Sequence, residues 1–409
     1  MLSVPYGLNS KKQMKKLVTK IVIMLTFVFT GISTQAQNVN IPDAIFKAAL
    51  LSNASINTNL DTAIQVSEAA AFTGVIEVSE SNMSDLTGIR AFTALTGLSC
   101  SRNYLTSLDV SGCTALIGLG CSENQLTSLN ISGCTALIGL GCNSNNLTSL
   151  DVSGLTALTR LDCHSNHITS LNLSAYTALT NLNCFNNYIT SLNVTADTAL
   201  GYLNCASNLL TNLNVSSNNA LSYLNCAGNF LTSLNVSTNT ALGLLYCHAN
   251  QLTSLDVSSN ATLSDLICHS NQLLNLNVSN GLNKSMISFA AGNNPNLKCI
   301  EVDDASWSAI NLHFYVDSIA SFSEDCSALG ILDNIQSNTL LVYPNPTNNI
   351  INIEGLNINE NNLVQIFDVQ GKLVITKTIT EKETIDLSEL NKGVYVIKIG
   401  EVAQRIVKM

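Results

Sequence analysis

Charge is scarce in this chain. Asp, Glu, Lys and Arg make up 11% of its 409 residues, against about 25% in ordinary globular domains. Positive charge is scarcer still. Between Leu95 and Leu273 the basic residues are Arg102 and Arg160 alone. With a net charge of −10 and so few groups to meet phosphates, the composition argues against nucleic acid as a partner. A polar surface has to come from Asn, Ser and Thr instead. Long apolar runs are also missing beyond the N-terminus, so no later segment is long enough to span a bilayer. Catalytic signatures are absent too: there is no G-x-S-x-G, no H-E-x-x-H and no glycine loop leading into Lys and Ser or Thr. Seven acidic residues are spread along the stretch from Leu95 to Leu273, and no carboxylate pair stands out there. The expectation is a protein that is not an enzyme and carries no cofactor.

The one apolar run reads as an export signal. Lys15, Lys16 and Lys20 supply the positive start, Ile21 to Ile32 the apolar core, and Thr34-Gln35-Ala36 a small-residue cleavage site before Gln37. A membrane anchor is the competing reading, and the core is short for one. Met14 reads as an alternative start. Residues 1–36 are therefore expected to be a signal peptide.

The middle of the chain repeats itself. Leu95, Leu116, Leu137, Leu158, Leu179, Leu200, Leu221, Leu242 and Leu263 recur at a spacing of 21 residues and open units of the form L-x-x-L-x-C-x-x-N-x-[LI]. A looser unit starts near Met286. The pattern resembles the leucine-rich repeat, whose consensus is L-x-x-L-x-L-x-x-N/C-x-L. That resemblance implies a solenoid over residues 95–298, because one unit cannot bury its leucines alone while stacked coils bury them together. The second half of each unit, such as Leu105-Thr-Ser107-Leu108-Asp109-Val110, alternates at strand period. Strand is therefore expected on both sides of each coil, with almost no helix. Cys100, Cys121, Cys142, Cys163, Cys184, Cys205, Cys226, Cys247 and Cys268 fill one inward slot, where cysteine serves as a small hydrophobe. A flat column lacks the tetrahedral convergence that a metal site needs. The Asn three residues on, from Asn103 to Asn271, is expected to cap a turn. Whether Cys113 and Cys134 pair is left open.

Caps are expected at both ends. Residues 37–94 begin with a short helix around Pro42 to Leu50. Asn57, Asn59, Asp61 and Glu68 then stand at positions 1, 3, 5 and 12 of a stretch that resembles an EF-hand loop. Thr62 replaces the glycine at position 6, and we read the stretch as a calcium loop decayed into a cap. In residues 299–326, Cys299 and Cys326 flank Trp307, Phe314 and Tyr315 and are expected to form a disulfide. A linker, 327–339, follows.

The last segment, 340–409, changes character. Val342-Tyr-Pro-Asn-Pro, Phe367-Asp-Val-Gln-Gly-Lys372, Lys392-Gly-Val-Tyr-Val-Ile-Lys-Ile399 and Arg405-Ile-Val-Lys-Met409 mark short strands and turns. They suggest a small immunoglobulin-like β-sandwich. The same motifs resemble the C-terminal sorting domain of the type IX secretion system of Bacteroidetes. That resemblance implies a secretion machinery as partner and export across the outer membrane, with release or attachment to the cell surface afterwards. The expected fold is thus mainly β: a solenoid of 21-residue coils with a short helical N-terminal cap and a C-terminal sandwich.

Outward positions of the coils carry the functional expectation. One column runs Gly97, Gly118, Gly139, Arg160, Asn181, Tyr202, Tyr223, Leu244, Asp265; its neighbour includes Asp162, Asn183, Asn204, Asn225, Tyr246 and Ile267. Tyr202, Tyr223, Tyr246, Asn183, Asn204 and Asn225, edged by Phe185 and His248, combine flat rings with amides and suit a protein or glycan ligand. A structural or self-associating surface component is the alternative. A row of Thr from Thr106 to Thr253 invites an ice- or mineral-binding reading, but Thr beside Ser is also plain strand chemistry. Deleting residues 340–409 is expected to hold the protein inside the outer membrane. Fractionation that finds the truncated chain outside the cell at normal levels would refute the sorting role.

Overall fold

A computed structural model describes residues 37–174, 176–312, 316–326, 341–354, 362–368, 371–379, 383–399 and 402–409. The signal segment, the 327–339 linker, Phe314 and Tyr315 lie outside the described residues. The chain divides into two compact units, one of residues 1–297 and 310–318, the other of residues 298–309 and 319–409.

The first unit is a solenoid. Eleven three-residue strands form one parallel sheet, from Val75–Glu77 and Gly97–Ser99 through Gly118–Gly120, Gly139–Gly141, Arg160–Asp162, Asn181–Asn183, Tyr202–Asn204, Tyr223–Asn225, Leu244–Tyr246 and Asp265–Ile267 to Ser288–Ala290. Each strand pairs with its equivalent one coil on, as Tyr202 with Tyr223 and Asn204 with Asn225. The middle residue of each strand is buried, from Ile76 through the leucines to Phe289, and the residues on either side of it turn outward. Strand sterics alone enforce this alternation.

The return side departs from expectation. Strand pairing occurs between Ser107–Asp109 and Ser128–Asn130, and between Ser254–Asp256 and Asn275–Asn277. In the coils between them the segments are extended but unpaired. Neighbouring backbones there keep one bond per coil, such as His167 N to Leu147 O and Tyr188 N to Ile168 O. Buried residues such as Leu150, Leu171 and Val194 hold these segments in place without a ladder.

Two inner columns bind coil to coil. At the first, the backbone turns through a left-handed residue (Arg102, Glu123, Ser144 and their equivalents), and Gly228 is the glycine among them. The next residue is the repeat asparagine. Asn145 Nδ2 donates to Cys142 O at 3.0 Å in its own coil and to Cys121 O at 3.1 Å in the preceding one, while its Oδ1 accepts from Leu126 N at 2.9 Å. The same triad recurs at Asn166, Asn187, Asn208, Asn229, Asn250 and Asn271. The cysteines between these bonds are all free and fully buried. Burial pushes the thiols of Cys100, Cys226 and Cys268 up to about 12.

The second column needs a donor to the carbonyl 24 residues back. Cys113 Sγ donates to Ile89 O at 3.4 Å and Cys134 Sγ to Val110 O at 3.3 Å, so these two thiols are free and hydrogen-bonded. Tyr176 donates to Val152 O. Asn218, Asn239 and Asn260 donate to Val194, Val215 and Val236 O at 2.8–3.0 Å. Leu155 interrupts the series, and Asp197 is its anomaly. Asp197 is fully buried and neither carboxylate oxygen has a partner among the described residues. Burial raises its pKa to about 7. Burial disfavours the charged form, so the neutral acid is the form that suits the column.

The ends are closed locally. The helix α1 (Ala44–Ser52) is capped by Asp43, whose Oδ1 accepts from Ile45 N and Phe46 N and whose Oδ2 accepts from Ser84 N. A second helix, α2 (Val66–Ala71), carries a capping box between Gln65 and Glu68. At the other end, Asp317 accepts from Asn293 N and Asn294 N at 2.9 and 2.6 Å.

In the second unit, Cys299–Glu301 pairs in parallel with Ser321–Ser323, and Cys299 is bonded to Cys326 with their Cα atoms 5.8 Å apart. The tail folds as two antiparallel sheets, one of 341–343, 350–354 and 383–386, the other of 362–368, 373–379, 393–399 and 402–408. They share a core that includes Val342, Ile351, Ile353, Val364, Ile366, Tyr395, Ile397 and Ile406. Lys408 is buried and its ammonium donates to the carbonyls of Leu387, Ser388 and Leu390. The basic final strand thus ties down the 387–390 turn.

Two outcomes are expected. Thiol reagents should label none of the ladder cysteines without denaturant; rapid labelling of all nine would overturn their burial. Asp197→Asn should raise the melting temperature at pH 8, because it supplies the missing donors. An unfolded aspartate loses its proton near 4 and the folded one near 7. The wild-type stabilisation is therefore full below pH 4 and falls as pH rises to 7, by about 4 kcal/mol at most. The gap between variant and wild type should widen across that window in pH-dependent melting; a constant gap contradicts it.

Candidate functional site

The outward face of the long sheet brings the tyrosines together. Tyr202 and Tyr223 lie in one register column one coil apart, and their rings stack with centroids 4.4 Å apart and planes 9° apart. Tyr246 stands in the adjacent column and meets Tyr223 edge-on at 5.8 Å. Burial raises the phenol of Tyr202 above its ordinary value.

The flanking amides have partly structural duties. The Oδ1 atoms of Asn183, Asn204 and Asn225 accept from the backbone N–H two residues on, at Phe185, Ala206 and Ala227, at 3.2–3.5 Å. These bonds hold the bend after each strand and leave the amide N–H groups to face outward or to bond a neighbour.

Phe185 and His248 do not join the tyrosines in one cluster. Phe185 lies beside His164, ring centroids 6.4 Å apart. His248 stacks on His269 at 4.6 Å, and burial, then the charge of His269, holds its imidazole below the usual value. Among the described residues no group of three or more His, Cys, Asp or Glu is placed to hold a metal ion.

Beside the tyrosines lies a depression that the repeat alone did not single out. It has a volume of about 450 Å³ and is lined by Gly139, Gly141, Arg160, Asp162, Asn181, Asn183 and Tyr202, over Leu140 and Leu161. Asp162 Oδ1 lies 2.6 Å from His164 Nδ1, and Asn183 Nδ2 lies 3.1 Å from the same nitrogen. Asn181 Oδ1 accepts from Thr180 Oγ1 at 2.9 Å. Of the lining residues, Asn183 and Tyr202 were expected at a ligand site; Arg160, Asp162, Asn181 and the glycines were not. The available signal was the step in one column from glycine to Arg160 across a single repeat.

The loop resembling a calcium site turns the carboxylates of Glu68 and Asp61 toward donors, while Asn57 Oδ1 is buried without a partner among the described residues. Glu68 Oε1 accepts from Thr58 N, Thr58 Oγ1 and Asn59 N at 2.8–3.3 Å, and its Oε2 from Gln65 N at 3.0 Å. Burial pushes the Glu68 carboxyl up, but these bonds outweigh it and hold the group below its ordinary value. Asp61 accepts from Ala63 N, Asn59 Nδ2 and Gln65 Nε2. Asn57 Nδ2 donates to Leu51 O and Asp61 O. Oxygens engaged with donors on this scale organise the cap itself.

Residues 341–409 match the family described as the secretion system C-terminal sorting domain. No curated protein matches the chain. Among solved structures, the functional domain of InlJ from Listeria monocytogenes, which includes a cysteine ladder, is 24% identical, over 91% of this chain and 98% of that one, with a TM-score of 0.41. The leucine-rich repeat protein LIC12759 of Leptospira interrogans is 20% identical over 60% of this chain and 83% of its own, with a TM-score of 0.43. The leucine-rich repeat ectodomain of the receptor kinase GASSHO1/SCHENGEN3 from Arabidopsis thaliana is 21% identical over 55% and 32%, with a TM-score of 0.48.

Proposed function

We propose that this is a non-enzymatic binding protein of the cell surface or the medium. The sorting tail directs it through the type IX secretion machinery, and the outward face of the solenoid sheet recognises a protein or glycan partner in adhesion or recognition. The sorting-domain match of the tail supports the route. The contact of Tyr202, Tyr223 and Tyr246 on an otherwise amide-rich face supports the binding role. Three adjoining aromatic rings on an outward surface provide apolar area at low conformational cost, which is what anchors a partner. The same face carries little charge, so recognition depends on shape and hydrogen bonds. After export the protein is attached to the outer membrane or released.

Whole cells and a panel of polysaccharides and surface proteins are the test, using the mature chain, residues 37–409. Replacing Tyr202, Tyr223 and Tyr246 together by Ala should weaken binding at least tenfold, as loss of a hot spot does. Binding that survives the triple substitution would move the site to another face. A folded protein that binds nothing but assembles with rising concentration would favour the structural alternative.

A further inference from the structure

The depression next to the tyrosines has a chemistry of its own. Its floor is unusually bare. Glycine weakens a strand interior, and it often marks a place where a ligand or another backbone comes close. Gly97 has a steric reason to be glycine, since a Cβ there would meet Val75 at 3.0 Å. Gly139 has none: an added Cβ meets nothing within 4 Å. At Gly141 the nearest atom, Ser122 Oγ, would lie at an ordinary 3.5 Å. Neither residue has a positive φ. The fold therefore tolerates side chains at both positions, and any side chain there would fill the depression.

The walls carry the polar groups. Arg160 makes no ion pair within the described residues. Its guanidinium presents donors only. Asp162 supplies acceptors and is braced from one side by His164. Asn181 has its oxygen engaged by Thr180, which leaves its NH₂ as a donor. At the far wall stands Tyr202. Because Tyr202 and Tyr223 stack from coil to coil, the Tyr202 face away from Tyr223 is directed back toward the coil of Asn181. It is a ring face already backed by a second ring.

We infer that this depression is a subsite for one neutral pyranose unit of a polysaccharide, its C–H face on Tyr202 and its hydroxyls shared among Arg160, Asp162, Asn181 and Asn183. This rests on the reading of the sheet face as a binding surface and gives it a ligand class. The lining pairs one positive charge with one negative, so it favours no net charge on the ligand. It offers donors from Arg160 and Asn181 and acceptors from Asp162, and a polyol can use both. Its volume falls in the range of small-molecule sites, whereas a protein partner needs a broad flat contact of about 800 Å² per side. The net charge of −10 further disfavours an acidic polymer.

The test is affinity electrophoresis of the mature chain in gels containing a neutral β-glucan, mannan or galactan, with polygalacturonate as the charged counterpart. Wild type should be retarded by at least one neutral polymer. Gly139→Val and Arg160→Ala should each weaken that retardation tenfold or more. Gly139→Val should melt no lower than wild type, which separates a filled subsite from a damaged fold. If both variants bind normally while the triple tyrosine variant does not, the subsite is wrong and the sheet-face reading stands. Binding of polygalacturonate alone overturns the neutral ligand. Binding of cells but of no polysaccharide overturns the sugar and leaves the wider reading intact; binding of neither overturns both.

Discussion

Everything in the solenoid depends on the asparagine that follows each left-handed turn. A turn buried between stacked coils would leave carbonyls and N–H groups without water or partner, and each such group is destabilising by about 1–3 kcal/mol. One carboxamide resolves this for two coils at once. Asn145 satisfies a carbonyl in its own coil and one in the coil before, and takes an N–H from that same preceding coil. In most coils the donors and acceptors sit at the same sequence distances, and Asn294 makes the equivalent bonds across a coil two residues longer. The Cys in the adjoining slot packs as a small buried hydrophobe beside that amide.

The opposite corner shows the same demand met less uniformly. What it requires is a donor to the carbonyl 24 residues back, and thiol, phenol and amide all meet it in turn. Read as a column, the change from Cys113 and Cys134 to Asn218, Asn239 and Asn260 is a change of donor at constant function. Asp197 obeys the rule only while protonated. Its perturbed acidity comes from burial, and the column explains why that burial is tolerated. This argues for a structural origin of the shift; a buried acid with no access to solvent has no route to substrate.

A surface with so little charge offers contact and hydrogen bonds in place of long-range attraction. The stacked tyrosines give the outward sheet its main apolar area, and the depression beside them gives it a concave feature with convergent polar groups. The tail contributes a different property. Its sandwich is closed by Lys408, whose ammonium is spent on three backbone carbonyls, so its terminal basic residue has a folding role alongside any part it has in export.

Much of this was legible in the sequence, and for a physical reason. A strand alternates its side chains and a solenoid repeats its register, so inward leucines, the Cys slot and the outward columns follow from counting residues. The tail motifs were equally plain, and so was the pairing of Cys299 with Cys326 as an expectation. Contacts that depend on side-chain direction were not legible. The sequence placed Tyr202, Tyr223, Phe185 and His248 near one another, but only packing decided that two tyrosines stack while Phe185 turns to His164 and His248 to His269. It could not show that the middle return segments would lack a strand ladder, because that depends on spacing between coils. Nor could it show that Gly139 and Arg160 bound a depression. Sequence by itself determined which residues share a column; the tertiary structure decided how deep the surface is between them, because depth depends on how far each side chain reaches and which neighbour it leans on.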